Sequence, residues 1–238
     1  MSDYTPMSAS YDLIMTSGYY DYDAIVEHLA QFEQANTVLE IGSGTGLILE
    51  RLAQRCPQLR LTGVDLTQAM LDIAAERLGH LSQITMDRQN VVTLCLNSRY
   101  DLAFSYGGVW YFSRGEADGD FTMVSHIRDE QENQQGFERL ATHLPTGATL
   151  LLGVQSAHVD YATPVANGMR YGQQIVPIDN GFRKHYSLTS GATAVMEQTI
   201  DYRTYPFAEA VQSLEKCGFD YRPAREPATC LFLEFTKR

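Results

Sequence analysis

The chain has 238 residues, 44% of them hydrophobic, and 18 basic against 29 acidic residues give a net charge of −11. That is enough apolar material for one sizeable α/β core, while the acidic excess leaves no basic footprint for a nucleic-acid backbone. A small-molecule substrate is therefore expected and a nucleic-acid partner is not; composition fixes no oligomeric state. Met1 to Ser10 lacks the basic and apolar regions of a signal peptide, and no apolar run approaches membrane-spanning length, so a cytoplasmic protein with no membrane partner is expected. Cys56, Cys95, Cys217 and Cys230 are scattered without a paired or metal-ligand spacing, and no metal is expected.

In chain order, the first feature is a tyrosine-rich segment: Tyr4, Tyr11, Tyr19, Tyr20 and Tyr22. Two readings stand open. The segment is a lid, hinged at Ser17-Gly18, whose aromatic faces cover a bound ligand, or it is an amphipathic stretch docked on a sheet edge. Ile25, Val26, Leu29 and Phe32 then share one helical face, so residues 1–35 read as lid and helix.

Val38-Leu39-Glu40-Ile41 followed by Gly42-Ser43-Gly44-Thr45-Gly46 and Leu47-Ile48-Leu49 reads as a buried strand, a glycine loop and the start of a helix. Glycines let a ligand lie against bare backbone, and free N–H groups at the helix start face it. The spacing is wrong for a dinucleotide, because Leu47 stands where GxGxxG needs its third glycine, and there is no GxxxxGK[ST] phosphate loop. Glu40 repels pyrophosphate but suits an ammonium group. Leu61-Thr62-Gly63-Val64-Asp65 is a second strand ending in an acid placed to accept ribose hydroxyls. Ribose plus an amino-acid ammonium without phosphate describes S-adenosylmethionine (SAM).

Leu47, Leu52 and Ala53 pattern a helix stopped at Cys56-Pro57, and Thr67 caps another whose Met70, Leu71, Ala74 and Leu78 face the sheet. Ile84-Thr85-Met86 and Tyr100 to Ser105 are the third and fourth strands, followed by a loop Ser105 to Phe112 with paired glycines and aromatics. Its Tyr106 is read as a site residue, and Trp110 as either core or site. Phe137, Leu140, Ala141 and Leu144 stripe a helix before the fifth strand, Thr149 to Leu152. His143 reads as structural. The stretch Gln155 to Tyr205 exceeds what a minimal fold requires; turn signals at Asp179-Asn180-Gly181 and Ser190-Gly191 bracket Phe182 to Leu188 and Ala194 to Tyr202 as an antiparallel hairpin. A helix from Pro206-Phe207 to Gly218 and a strand Cys230 to Thr236 end the chain. Alternating strands and helices predict a doubly wound, mostly parallel α/β sheet.

These motifs resemble the class I SAM-dependent methyltransferases. Their glycine loop matches Glu40 to Gly46, their ribose acid Asp65, their adenine-packing residue Met70 and their adenine-amino acceptor Asp87; the fourth-strand motif matches Tyr100 to Ser105. The resemblance implies a single domain, residues 1–238, with a seven-stranded Rossmann-like sheet and residues 155–205 as a substrate-covering insertion. It implies SAM held by Tyr11, Glu40, Gly42, Ser43, Gly44, Gly46, Asp65, Leu66, Met70, Asp87, Arg88 and Ser105. The N-terminal Tyr11-Asp12-Leu13 and the insertion are similar to glycine/sarcosine and amino-sugar N-methyltransferases, which implies a small-molecule acceptor with nitrogen as the accepting atom, in secondary metabolism. Tyr11, Tyr106, His158 and His126 are the candidate residues at the reacting centre, with a general base optional because alignment supplies much of the acceleration. The [DN]PP[YF] motif of base-directed enzymes is absent. O- or C-methylation, a non-catalytic SAM-binding protein and, more distantly, a nicotinamide-dependent dehydrogenase are the alternatives.

Overall fold

The computed structural model describes residues 3–117, 119–223, 226 and 228–238; Met1 and Ser2 of the N-terminal segment lie outside the described residues. Helices α1 (Ser8–Ile14) and α2 (Tyr22–Leu29) precede the alternation β1 (Thr37–Ile41), α3 (Leu47–Arg55), β2 (Arg60–Asp65), α4 (Gln68–Leu78) and β3 (Ile84–Arg88). Then come β4 (Leu102–Ser105), β5 (Trp110–Arg114), β6 (Phe121–Ser125), α5 (Glu130–Thr142) and β7 (Thr149–Gln155). Four antiparallel strands follow: β8 (Tyr161–Pro164), β9 (Arg170–Ile178), β10 (Gly181–Ser190) and β11 (Thr193–Pro206); α6 (Phe207–Lys216), β12 (Phe219–Arg222) and β13 (Phe232–Lys237) complete the fold.

Strands β3, β2, β1, β4 and β7 lie side by side and parallel, and β13 with β12 adds an antiparallel pair beyond β7. That is the expected seven-stranded Rossmann-like sheet. Its central strands β1, β4 and β7 are buried on both faces, as strands covered twice must be. Along β1, Val38 packs with Leu49 and Leu52 of α3, whereas Leu39 and Ile41 face Phe137 and Leu140 of α5. Each such fully buried side chain contributes about 1.5–3 kcal/mol, so a charge at Leu39 would break this layer.

The end of β7 forks. Its first residues pair with β13, while Val154 and Gln155 pair in parallel with Phe112 and Ser113 of β5. From there the sheet runs on through β6, β11, β10, β9 and β8. The expected hairpin is present in β10 and β11, with Phe182 opposite Tyr202 and Leu188 opposite Met196. One expectation is corrected: the stretch read as loop through Phe112 becomes strand at Trp110, because β5 and β6 form a hairpin that carries the insertion. Trp110 is core. Fully buried, it donates from Nε1 to Asn133 Oδ1 at 2.8 Å and packs on Phe137 at 4.4 Å. Among the described residues no helix is long and apolar enough to cross a membrane.

Candidate active site

Two cavities meet at the carboxyl ends of the parallel strands, where open α/β sheets bind ligands. The first, about 620 Å³ with its mouth included, is lined by Gly42, Gly44, Asp65, Leu66, Met70, Gln89 and the Gly107–Val109 loop, together with Tyr4, Tyr11 and His126. The second, about 310 Å³, lies under the insertion among Tyr19, Tyr111, His158, Lys184, Tyr186 and Tyr202. Tyr4, Tyr11, Gly107 and His126 line both.

The glycine loop owes its path to close approach. Gly42 has φ +72°, and a Cβ there would sit 2.8 Å from Gly108 Cα. Its N–H and that of Ser43 both donate to Val64 O, at 2.8 and 3.0 Å, which pins the loop to the tip of β2. Gly44, at φ +55°, faces the Tyr11 ring; its N–H donates to Asp65 Oδ2 at 2.9 Å, and Thr67 N–H donates to Oδ1 at 2.8 Å. A carboxylate offers about four lone-pair sites, so these backbone donors leave Asp65 with acceptor capacity toward the cavity that it lines. Burial raises the Asp65 carboxyl against the lowering effect of those N–H donors.

Three polar side-chain atoms around the loop are buried without a partner among the described residues: Glu40 Oε2, Ser43 Oγ and Ser105 Oγ. Orphaned buried polar atoms are rare and costly, about 1–3 kcal/mol each. Burial raises the Tyr11 and Tyr22 hydroxyls, with Glu40 a lesser contributor to each, and Glu40 is itself raised well above the carboxylate range by burial first and Asp65 second. A carboxyl in that state fits an incoming ammonium.

Not all expected residues face the cavities. Gly46 turns the chain at φ +78° against Leu78 of α4, a packing role. Asp87 is outside the lining and accepts from Gln89 Nε2 at 3.0 Å, so Gln89 rather than Asp87 is presented to the first cavity. Arg88 Nε donates to Leu66 O at 3.1 Å, bracing the ribose-side loop. Tyr106 is the clearest departure. Its ring covers Gly153, where a Cβ would lie 2.6 Å away, and meets Tyr20 and Phe232 at 5.2 Å, pointing away from both cavities while its neighbour Gly107 lines them.

Both candidate histidines line the second cavity. His126 is buried against Tyr202 (4.6 Å) and Tyr4 (5.7 Å), and burial, then Lys184, lowers it to about 3. His158 is lowered to about 3 for the same reasons, its Nε2 sharing a 2.8 Å hydrogen bond with the Tyr111 hydroxyl. Both are neutral near pH 7. His143 is structural, its Nε2 accepting from Leu96 N–H at 3.4 Å. The residue that sequence reasoning missed is Lys184, buried on β10 with Nζ 2.9 Å from the Tyr19 hydroxyl and lowered to about 7 by burial.

The N-terminal segment roofs both cavities. Asp12 pairs with Arg77 and accepts the Thr45 hydroxyl at 2.6 Å; Tyr4 N–H donates to Thr67 Oγ1 at 3.3 Å; Ser17 Oγ accepts from Ala166 N–H at 3.0 Å.

Residues 38–127 match the family described as "Methyltransferase domain". A curated relative, the malonyl-[acyl-carrier protein] O-methyltransferase of Bacillus cytotoxicus, is 32% identical over 68 residues, which are 29% of this chain and 24% of the relative. The chain thus matches about a quarter to a third of the length of such relatives. Among solved structures, SAM-bound CalS10, an amino pentose methyltransferase from Micromonospora echinaspora, superposes with TM-score 0.72 at 15% identity over 96% of this chain and 97% of its own. The sugar N-methyltransferase KedS8 from Streptoalloteichus superposes with TM-score 0.67 at 18% identity, over 96% and 92%. The fold is that of the SAM-dependent methyltransferases that superpose on it, and the stretch from β1 through β6 matches the methyltransferase domain.

Proposed function

We propose that the chain is a SAM-dependent methyltransferase acting on a small molecule, with nitrogen as the accepting atom. The observation that carries this reading is the junction at Tyr4, Tyr11, Gly107 and His126, where a glycine-loop cavity opens onto a second, aromatic one. In that arrangement Asp65 holds a ribose, Glu40 and the loop backbone the amino-acid end, and Met70 with Gln89 the adenine face. The cofactor supplies an electrophilic methyl on a sulfonium. The chain supplies alignment across the junction, which is worth up to about 7–11 kcal/mol when the reacting atoms are held in line.

The electrostatics of the second cavity favour a neutral amine. Its described lining holds no carboxylate, and its one cation, Lys184, repels an ammonium, so an amine enters in its nucleophilic form. The proton lost afterwards has two neutral imidazoles, His126 and His158, within the same cavity. Those imidazoles also favour a second reading, O-methylation of an acidic hydroxyl. The N-terminal segment acts as cover, excluding water from the junction.

The test is incubation with SAM carrying a deuterated methyl and a panel of small amines, phenols and alcohols, read by mass spectrometry, alongside calorimetric titration with S-adenosylhomocysteine (SAH). Label transfer to amines in preference to hydroxyls is expected. Failure to bind SAH would sink the reading altogether.

A further inference from the structure

Strand β10 alternates, and its inward row is Phe182, Lys184, Tyr186 and Leu188. Three members of that row are apolar or aromatic, as an inward row requires; the fourth is a lysine only 1% exposed. Lys184 Nζ donates one hydrogen bond, to the Tyr19 hydroxyl at 2.9 Å, and lies 4.8 Å from the centroid of the Tyr186 ring. An ammonium has three donors, so two have no described acceptor. Among the described residues no acidic side chain lines the cavity that it faces; the other titratable groups there are tyrosine hydroxyls and the imidazoles of His126 and His158. A buried ammonium without a counter-ion is costly, and a buried lysine is almost always paired.

The position of Lys184 also matters. It lines the second cavity but not the first, whereas Tyr4, Tyr11, Gly107 and His126 line both. Lys184 thus lies off the junction where a methyl group would pass, which suits anchoring of the acceptor's far end better than proton removal at its reacting atom.

We propose that the acceptor carries a carboxylate, and that Lys184 is the residue that receives it at the end of the second cavity remote from the cofactor. The inference rests on the methyltransferase reading above and narrows it to small acids, with the atom to be methylated held toward His126 and the acid group held by the lysine. It accounts for a cation among aromatics and for the lack of an acid: the substrate brings the missing charge. Since burial lowers Lys184 to about 7 and a bound carboxylate raises it again, anion binding draws in a proton above neutral pH. The neighbouring imidazoles, lowered to about 3, and the tyrosines, all raised by burial, keep their protonation between pH 6 and 9.

The test uses the full chain saturated with SAH and a set of small carboxylates (acetate, propionate and benzoate), each titrated calorimetrically against its neutral amide. At least one acid is expected to bind tenfold or more tightly than its amide, to lose that preference in Lys184→Met, and to weaken as pH rises from 6.5 to 8.5, with the amides indifferent to both changes. The pH series on the unaltered chain stands alone if the variant folds poorly. Acids that bind no better than amides while SAH binds normally would overturn the anion reading and leave the methyltransferase reading intact. A Lys184→Met variant that keeps the acid preference but loses turnover with every acceptor would assign the lysine to proton transfer and overturn it too. Absence of SAH binding would remove both readings.

Discussion

The Thr45 hydroxyl donates to the Asp12 carboxylate at 2.6 Å, so the first helix is fastened directly to the glycine loop that it covers. Arg77 of α4 completes the joint: it pairs with Asp12, reaches Glu50 at 3.3 Å and donates to Thr45 O at 2.7 Å. Three chain segments thus converge on one guanidinium that is mostly shielded from water, where a charged hydrogen bond is worth about 1.5–3 kcal/mol.

Asp12→Ala should therefore loosen the cover more than it loosens the core. Hydrogen exchange from Ser8 to Tyr22 should accelerate, and SAH affinity should fall roughly tenfold, as loss of about 1.4 kcal/mol of ordering implies. Melting temperature should move by only a few degrees. Unchanged exchange in α1 together with unchanged affinity would mean that the segment is held by its aromatic packing alone.

Cofactor binding should release a proton. Burial, and then Asp65, raise Glu40 well above its ordinary range, so in the free protein it holds its proton to higher pH than an ordinary carboxyl does. An arriving ammonium favours the carboxylate and lowers that value again. Because the free value exceeds the bound one, affinity for SAH rises as pH climbs between them. Calorimetry in two buffers of different ionisation enthalpy should show the release, and Glu40→Gln should abolish it. Asp65→Ala, which removes the ribose acceptor and the lesser of the two causes that raise Glu40, should weaken SAH at least tenfold and reduce the proton release without abolishing it; identical proton counts in Glu40→Gln and the parent chain would place the ammonium elsewhere.

Stability should fall on mild acidification. His126 and His158 are lowered to about 3 in the folded chain against 6.5 when unfolded. Between those limits the unfolded chain binds more protons, so the stability present above pH 6.5 is lost as pH drops, at up to about 1.4 kcal/mol per pH unit for each group. Urea denaturation at pH 7.5, 6.0 and 5.0 should reveal this slope, and His158→Gln should flatten it. A pH-independent midpoint over that range would mean that both imidazoles stay hydrated.

Tyr106 separates packing from function. Its ring fills the space over Gly153 but is only half-buried, so Tyr106→Ala should cost less stability than the loss of a fully buried aromatic, about 3–5 kcal/mol, whereas Tyr106→Phe should leave turnover within twofold. A large turnover loss in Tyr106→Phe at unchanged melting temperature would return the hydroxyl to the reacting centre.

The alternation of helix and strand and the Gly42 to Asp65 signature were legible because each rests on local chemistry: a period of 3.6 or 2, a backbone requirement for glycine, an acid at a strand end. The β5–β6 hairpin was not, because its pairing depends on β7 forking between two partners, a contact between distant segments. Asp87 and Tyr106 were misplaced by one structural step each, with Gln89 and Gly107 presented to the cavities in their stead. Lys184 was within reach. Once Phe182 to Leu188 is read as an alternating strand, a lysine falls in register with Phe182, Tyr186 and Leu188, and a charge in an inward row is the signal.

That same lysine sets the last prediction. In the absence of an acid ligand, Lys184 is charged at low pH only at the cost of desolvation, which lowers it to about 7 against an unfolded value near 10.5. Between pH 7 and 10.5 the unfolded chain binds the extra proton, so stability should rise with pH across that window. Below pH 7 the full penalty is present. Lys184→Met keeps the length and the aromatic contacts of the side chain and removes the charge, so it should raise stability at pH 6 by a few kcal/mol, since apolar replacement of a buried unpaired ion is stabilising. The gain should shrink toward zero by pH 10. Urea midpoints of parent and variant at pH 6, 8 and 10 measure it. A variant less stable than its parent at pH 6 would mean that the Tyr19 hydrogen bond and the facing rings outweigh the desolvation of the ammonium.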